Sequence, residues 1–177
     1  MVDANMKRLK PIDYKILFEL VKNSKISDRK LSKKIGVSQP TVTRRRAGLE
    51  REKLVDYTAI PNFEKLGFEI MAFTYATWKH EAHTTERVSD AKSFLSKHPN
   101  IIFVSTGRGF GMDRMFISLH RDYTDYAEFM KELKDEWGKF VTNSDTFMVS
   151  LKSDNILRNL TFKYLENYME KERTVKK

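Results

Sequence analysis

Three consecutive arginines, Arg44, Arg45 and Arg46, fall inside Gly36–Lys53, GVSQPTVTRRRAGLEREK, a stretch that otherwise has the pattern of one helix. A guanidinium is a planar fork of donors that matches phosphate oxygens and the guanine edge, so the cluster points to a polyanionic partner. Gly36 breaks the preceding pattern, Ser38 is placed to cap by accepting a backbone N–H, and Pro40 falls in the first turn, where its missing N–H costs nothing. Val42 and Leu49 define the buried stripe. Counting about 100° per residue from it, Arg44, Ala47 and Arg51 point away, Thr41 and Thr43 lie on the flanks, and Arg45 and Arg46 border the core. The expected chemistry is insertion into the DNA major groove. Arg44, Gln39, Thr41 and Thr43 are candidates for base edges; Ser38, Arg45 and Arg46, with Lys33 and Lys34 from the preceding helix, are candidates for phosphates. A solvated basic helix face is the plain alternative, and the position after a short helix and a glycine turn favours DNA over it.

Two earlier helices must position this face. PIDYKILFELVKNS, beginning at Pro11, carries Ile12, Ile16, Leu17, Leu20 and Val21 on one stripe, and DRKLSKKI, capped by Ser27, carries Leu31 and Ile35 and stops at Gly36. Helix, short helix, turn, longer helix is the helix-turn-helix order. The run LVDYTAI, Leu54 to Ile60, is β-prone and predicts a strand or small wing, with a linker over 61–67.

Charge divides the chain at the same place. Residues 1–66 hold 16 Lys+Arg against 8 Asp+Glu, a net of +8, whereas 67–177 hold 17 against 16, a net of +1. The polyanion belongs to the first part. A membrane surface is disfavoured, because no broad apolar face is left once Val42 and Leu49 are buried, and no run of eighteen apolar residues exists. With no cysteine there is no disulfide or thiolate chemistry, and a cytoplasmic protein is expected.

The second part alternates strand and helix: strands at Phe68–Trp78, Ile101–Thr106, Arg114–His120 and Thr146–Leu151, helices at about Thr84–Lys97 and Asp122–Trp137, and a last helix from about Asp154 to Glu172. This βαββαβ order predicts a ferredoxin-like α+β domain over 68–152, its antiparallel sheet covered by helices on one side only. The first strand is apolar on both alternating sets, so the open side is expected to pack on a second copy, giving a homodimer at least. Residues 153–177 would add a C-terminal helix and tail.

Other constellations carry less. His80 and His83 beside Glu81 and Glu86 lack a shared helix face and any cysteine, so no metal or other cofactor is expected there. Gly107–Gly111 lacks the lysine of a phosphate loop and opens no helix. No nucleophile motif is visible, so no catalytic residue is assigned and the protein is not expected to be an enzyme.

The chain resembles the Lrp/AsnC (feast/famine) family of transcriptional regulators over about residues 9–152. The resemblance rests on Ile12-Asp13-Tyr14-Lys15-Ile16-Leu17, on Leu31-Ser32-Lys33-Lys34-Ile35-Gly36-Val37-Ser38, and on Thr41-Val42-Thr43-Arg44-Arg45 with Leu49. It implies a winged helix-turn-helix, sequence-specific binding to double-stranded DNA, dimers that assemble into tetramers or octamers, and amino-acid effectors near a Gly-x-Tyr/Phe-Asp turn. That turn maps loosely onto Gly107 and Asp113, across a longer spacing. The sequence departs from the family at Arg46, where Ile or Val is usual, at Gly48, which costs a helix about 1 kcal/mol relative to Ala, and at Lys53, in place of a common glycine. Two other readings stay open: an enzyme similar to the siroheme decarboxylases, with His120 and Arg121 at a tetrapyrrole, and a nonspecific DNA-compacting protein.

Overall fold

The structure is a computed structural model that describes residues 9–80, 85–152, 154, 156–165 and 168. The chain divides into two compact units, Met1–Ile60 with Asn159–Lys177, and Pro61–Arg158.

The first unit contains α1 (Pro11–Lys22), α2 (Asp28–Ile35) and α3 (Gln39–Arg51). Pro11 opens α1, and the Asp13 carboxylate accepts from the Lys10 amide at 2.8 Å, closing the first turn. Ser27 caps α2 by accepting from the Lys30 amide, and Gly36 ends it in the left-handed conformation at φ 75°. A side chain there would be strained, which is why glycine marks the turn. Ile16, Leu17 and Leu20 of α1, Leu31 of α2, and Val42 and Leu49 of α3 form one buried core.

α3 ends in a Schellman motif. The Lys53 amide donates to the Glu50 carbonyl at 3.0 Å and the Leu54 amide to the Leu49 carbonyl at 2.9 Å, while Leu54 packs on the core that holds Leu49. Lys53 itself stands at φ 53°, the conformation glycine normally supplies here. The strand expected over Leu54–Ile60 does not form. Leu54 and Val55 pack on the helical core, but residues 55–60 pair with no strand among the described residues, so β propensity has no ladder to join.

The second unit contains β1 (Ile70–Trp78), α4 (Thr85–Lys97), β2 (Ile101–Gly109), β3 (Met112–His120), α5 (Tyr123–Trp137) and β4 (Val141–Ser150). The sheet runs β2-β3-β1-β4 with all neighbours antiparallel, the expected ferredoxin-like order. β4 starts earlier than its apolar residues suggested. The polar run Val141–Asp145 pairs with Trp78–Tyr75 along the sheet edge, where side chains reach water and hydrophobic periodicity carries no signal. Residues 61–67 form a turn in which the Leu66 amide donates to Asn62 and Phe63 carbonyls; the Arg121 guanidinium donates to the Leu66 carbonyl at 3.0 Å and lies 4.9 Å from the Phe68 ring centroid. Residues 154 and 156–164 make turns and bends rather than the expected helix, with helical backbone at Leu165 and Tyr168; the rest of that expectation lies outside the described residues.

The two faces of the sheet differ. On the helix side Phe94, Phe129 and Trp137 form the core with Trp78 and Phe116 against it, and the Thr74 and Thr146 hydroxyls meet at 3.0 Å. On the other side Phe103 and Phe147 are 51% and 67% exposed. Phe110, 87% exposed at the β2–β3 turn, rests edge-on against Tyr75 at 5.6 Å between centroids.

His120 is fully buried on the helix side, its Nε2 2.8 Å from the Ser118 hydroxyl and its ring edge-on to Tyr126. Burial lowers its pKa from the ordinary 6.5, and the Asp125 carboxylate, 3.8 Å from Nδ1, opposes that only in part. The unfolded chain therefore takes up a proton near pH 6.5 that the folded chain refuses until lower pH. This contribution is complete above pH 6.5 and is lost as pH falls toward the folded value. Both tryptophans, Trp78 and Trp137, lie in this unit. The urea midpoint read from their fluorescence is expected to fall between pH 7.5 and 5.5, and to fall less steeply in His120→Asn; equal slopes would contradict the assignment.

Candidate nucleic-acid interface

Burial of Val42 and Leu49 fixes the rotation of α3, and Arg44, Ala47 and Arg51 stand exposed on the opposite side, as the helical count predicts, with Thr43, expected on a flank, exposed too. Gln39 and Ser38 are exposed at its N-terminus. Ser38 occupies the cap position but its side chain does not cap: the hydroxyl lies 2.8 Å from the Thr41 hydroxyl, so the two make a polar pair on the leading turn.

The three arginines part company. Arg44 is exposed. Arg45 is half-buried, its Nη1 3.6 Å from Asp13 Oδ2 of α1. Arg46 turns inward among the helices. Its Nη1 donates to the Ile26 carbonyl at 3.0 Å and to Asp28 Oδ1 at 3.1 Å, Nη2 to the Ser24 carbonyl at 3.3 Å, and Nε to the Tyr57 hydroxyl at 2.8 Å and to Glu50 at 3.3 Å. Its guanidinium carbon also sits 5.0 Å from the Tyr57 ring centroid. Desolvation works against the charge, but the Tyr57 and Asp28 contacts outweigh it, and the Arg46 pKa is raised. Asp28 is shared: its other oxygen accepts from the Thr43 hydroxyl at 2.7 Å. One carboxylate at the start of α2 thus holds both an inward and an outward residue of α3.

The lysines of α2 also differ. Lys33 and Lys34 are both exposed, and the Lys34 ammonium pairs with Glu19 of α1. A groove of about 360 Å³ beside α3 is lined by Lys10, Arg44, Arg45 and Arg51 with Asp13 and Glu52. Lys10 was absent from the sequence-based candidates. Its only signal was its place just before Pro11, which puts it at the mouth of α1, and contact between α1 and α3 is invisible to a helical count on α3 alone.

In the second unit the glycine-rich stretch is mostly strand. β2 runs through Gly107 to Gly109, and only Phe110 and Gly111, at φ 55° and 72°, make the turn, the geometry of a two-residue type I′ hairpin. Gly107 and Asp113 lie where the register shifts between the Thr106–Arg114 and Gly109–Met112 pairs. The Asp113 carboxylate accepts from the Trp78 amide at 3.2 Å. His120 and Arg121 hold internal partners, Ser118 for one and Leu66 with Phe68 for the other. His83 lies outside the described residues, and no group of three metal-ligating side chains occurs among those described.

Residues 11–50 match the AsnC-type helix-turn-helix domain. The chain is 37% identical over 97 residues to the HTH-type transcriptional regulator LrpC of Bacillus subtilis, covering 54% of this chain and 64% of LrpC. It is 31% identical over 86 residues to the leucine-responsive regulatory protein of Rhizobium meliloti, covering 48% of this chain and 55% of that protein. These matches therefore span less than two thirds of either relative. In structure the likeness is longer: B. subtilis LrpC superposes with a TM-score of 0.65 at 27% identity, covering 86% of this chain and all of that one. A transcriptional regulator of Neisseria meningitidis in complex with L-Met gives a TM-score of 0.72 at 19% identity over 87% of this chain and 96% of the other, a likeness of fold. On these grounds residues 11–50 are an AsnC-type helix-turn-helix domain, and the chain as a whole is similar in fold to regulators of the Lrp/AsnC type such as LrpC.

Proposed function

We propose that the protein is a sequence-specific, DNA-binding transcriptional regulator that works as a homodimer or higher oligomer. The observation that carries this reading is the division of labour on α3: Arg46 is tied into the helix-turn-helix while Arg44, Thr43 and Gln39 remain on the solvent face, within a segment, residues 1–66, of net charge +8. Arg44, Gln39, Thr41 and Thr43 read base edges. Ser38, Arg45, Lys33 and Lys34 contact phosphates, together with Lys10 and Arg51 along the same groove. Arg46, a phosphate candidate by sequence, positions α3 instead.

Dimerisation follows from the uncovered side of the sheet, where aromatic side chains of β2 and β4 meet water in a single copy. Two recognition helices related by a two-fold axis would then meet a pseudo-palindromic site. Amino-acid modulation is supported by the methionine bound to the Neisseria relative, and the bulge holding Gly107 and Asp113 is its assigned place. This is a binding protein of the cytoplasm rather than an enzyme; no described helix is long and apolar enough to cross a membrane.

Selection of bound fragments from random duplex DNA tests the proposal, with the mass of the free protein measured by light scattering. An enriched two-fold motif and a mass of at least twice 20.9 kDa are expected. Binding without enrichment would make it a compacting protein, and a monomer mass would sink the dimer.

A further inference from the structure

Asp28 opens α2 and meets α3 at two residues of unlike exposure. Its Oδ1 accepts from Nη1 of the half-buried Arg46 at 3.1 Å, and its Oδ2 accepts from the hydroxyl of the exposed Thr43 at 2.7 Å. The Arg46 ion pair alone would account for a carboxylate here, but the second bond reaches a residue on the solvent face of α3. An ionised carboxylate only accepts, so the one hydroxyl proton of Thr43 lies on Asp28 and none is left for an outside partner. Oγ1 and Cγ2 share one Cβ, so a hydroxyl held in one staggered position holds the methyl group in one as well. Arg46 in turn fixes the carboxylate, being tied itself to the Ser24 and Ile26 carbonyls, Tyr57 and Glu50. The hydroxyls on the leading turn of α3 differ. Ser38 and Thr41 bond each other at 2.8 Å and either can donate, so that pair retains a proton for an outside acceptor.

We propose that Asp28 sets a base preference through Thr43: it fixes the methyl group and withholds the proton, so that Thr43 selects thymine at the base pair it meets. This rests on α3 entering the major groove, as the proposed function requires. There thymine shows its C5-methyl, whereas guanine shows the O6 and N7 acceptors. A methyl group held in place packs on the first, and a withheld proton leaves the second without a donor. A threonine free to turn would offer either group and select neither base. Asp28 does this without touching DNA, as a positioning residue.

The full chain is first given random duplex DNA, and each thymine of the selected motif is then replaced in turn by uracil, which removes only the methyl group. One position in each half-site is expected to lose about fourfold in affinity for each half-site engaged, as suits one buried methyl. Thr43→Ser keeps a hydroxyl for Asp28 but lacks the methyl, and is expected to bind the thymine and uracil duplexes equally at that position. In Asp28→Asn the amide oxygen faces Arg46 and the NH2 group faces Thr43, so the hydrogen bond reverses and the Thr43 proton is released. The penalty for guanine in place of that thymine is expected to shrink about fivefold, with penalties at other positions unchanged. A purely structural role for Asp28 would not confine the change to one base pair. Should Asp28→Asn fail to fold by circular dichroism, Asp28→Ala combined with Arg46→Ile frees the Thr43 side chain without stranding a charge. A thymine-to-uracil affinity ratio that falls toward one in that protein supports the role of Asp28, and an unchanged ratio overturns it. A motif with no uracil-sensitive thymine, sensitivity that persists in Thr43→Ser, or wild-type penalties in a folded Asp28→Asn would each overturn the proposal and leave the regulator standing. Selection without an enriched motif would overturn both.

Discussion

Arg44→Ala is expected to weaken binding to the selected duplex by about 10- to 100-fold for each half-site engaged and to relax base preference at one position in each half-site. The magnitude follows from the loss of about 1–3 kcal/mol for a bidentate guanidinium on guanine, made once per recognition helix. Arg45→Ala supplies the contrast. With its Nη1 turned toward Asp13 and its remaining donors at the groove, it is expected to lower affinity by a similar factor for every sequence and leave preference unchanged. Fluorescence anisotropy on the selected duplex and on single-base variants of it separates the two outcomes. If Arg44→Ala retained wild-type discrimination at every position, the assignment of base reading to Arg44 would be wrong.

The second large effect is one of stability. Arg46→Ala removes a guanidinium whose five donor contacts tie α3 to Asp28, Tyr57, Glu50 and two carbonyls of the α1–α2 connection. It also leaves Asp28 without its cation in a site where the side chain is 22% exposed. A loss of about 2–3 kcal/mol is expected, which for a unit of this size lowers the melting temperature by about 10–20 °C. Arg46→Ile combined with Asp28→Ala is expected to recover most of that loss, since an apolar pair removes the uncompensated carboxylate along with the guanidinium. Helical circular dichroism against temperature reads both. The decisive comparison is with Arg45→Ala, whose single contact at 3.6 Å predicts a much smaller shift.

The outlines of both units were legible because their signals are periodic. The caps at Pro11, Ser27 and Gly36, the seven-residue spacing of Val42 and Leu49, and the apolar content of β1 and β3 each dictate an element by local chemistry. What escaped was set by partners distant in sequence. A helical count placed Arg46 beside the core, correctly, but no count on α3 shows that Ser24, Ile26 and Tyr57 supply its acceptors. Ser38 was legible as a cap position and not as a partner of Thr41, because two hydroxyls one turn apart can satisfy each other in place of the backbone. Leu54–Ile60 has the composition of a strand, yet strand formation needs a neighbour that composition cannot name.

The end of α3 carries a further consequence. Where glycine would adopt the left-handed cap without penalty, Lys53 adopts it at about 1–2 kcal/mol of steric cost and carries a charged ammonium on the residue just past the C-terminal end of the helix. The steric cost is indifferent to ionic strength, whereas the attraction between that ammonium and the helix dipole is screened by it. Added salt therefore tips the cap toward fraying from the end that faces away from Ser38 and Gln39. The same variable that loosens any protein from a polyanion also slackens the far turn of the helix that would hold it.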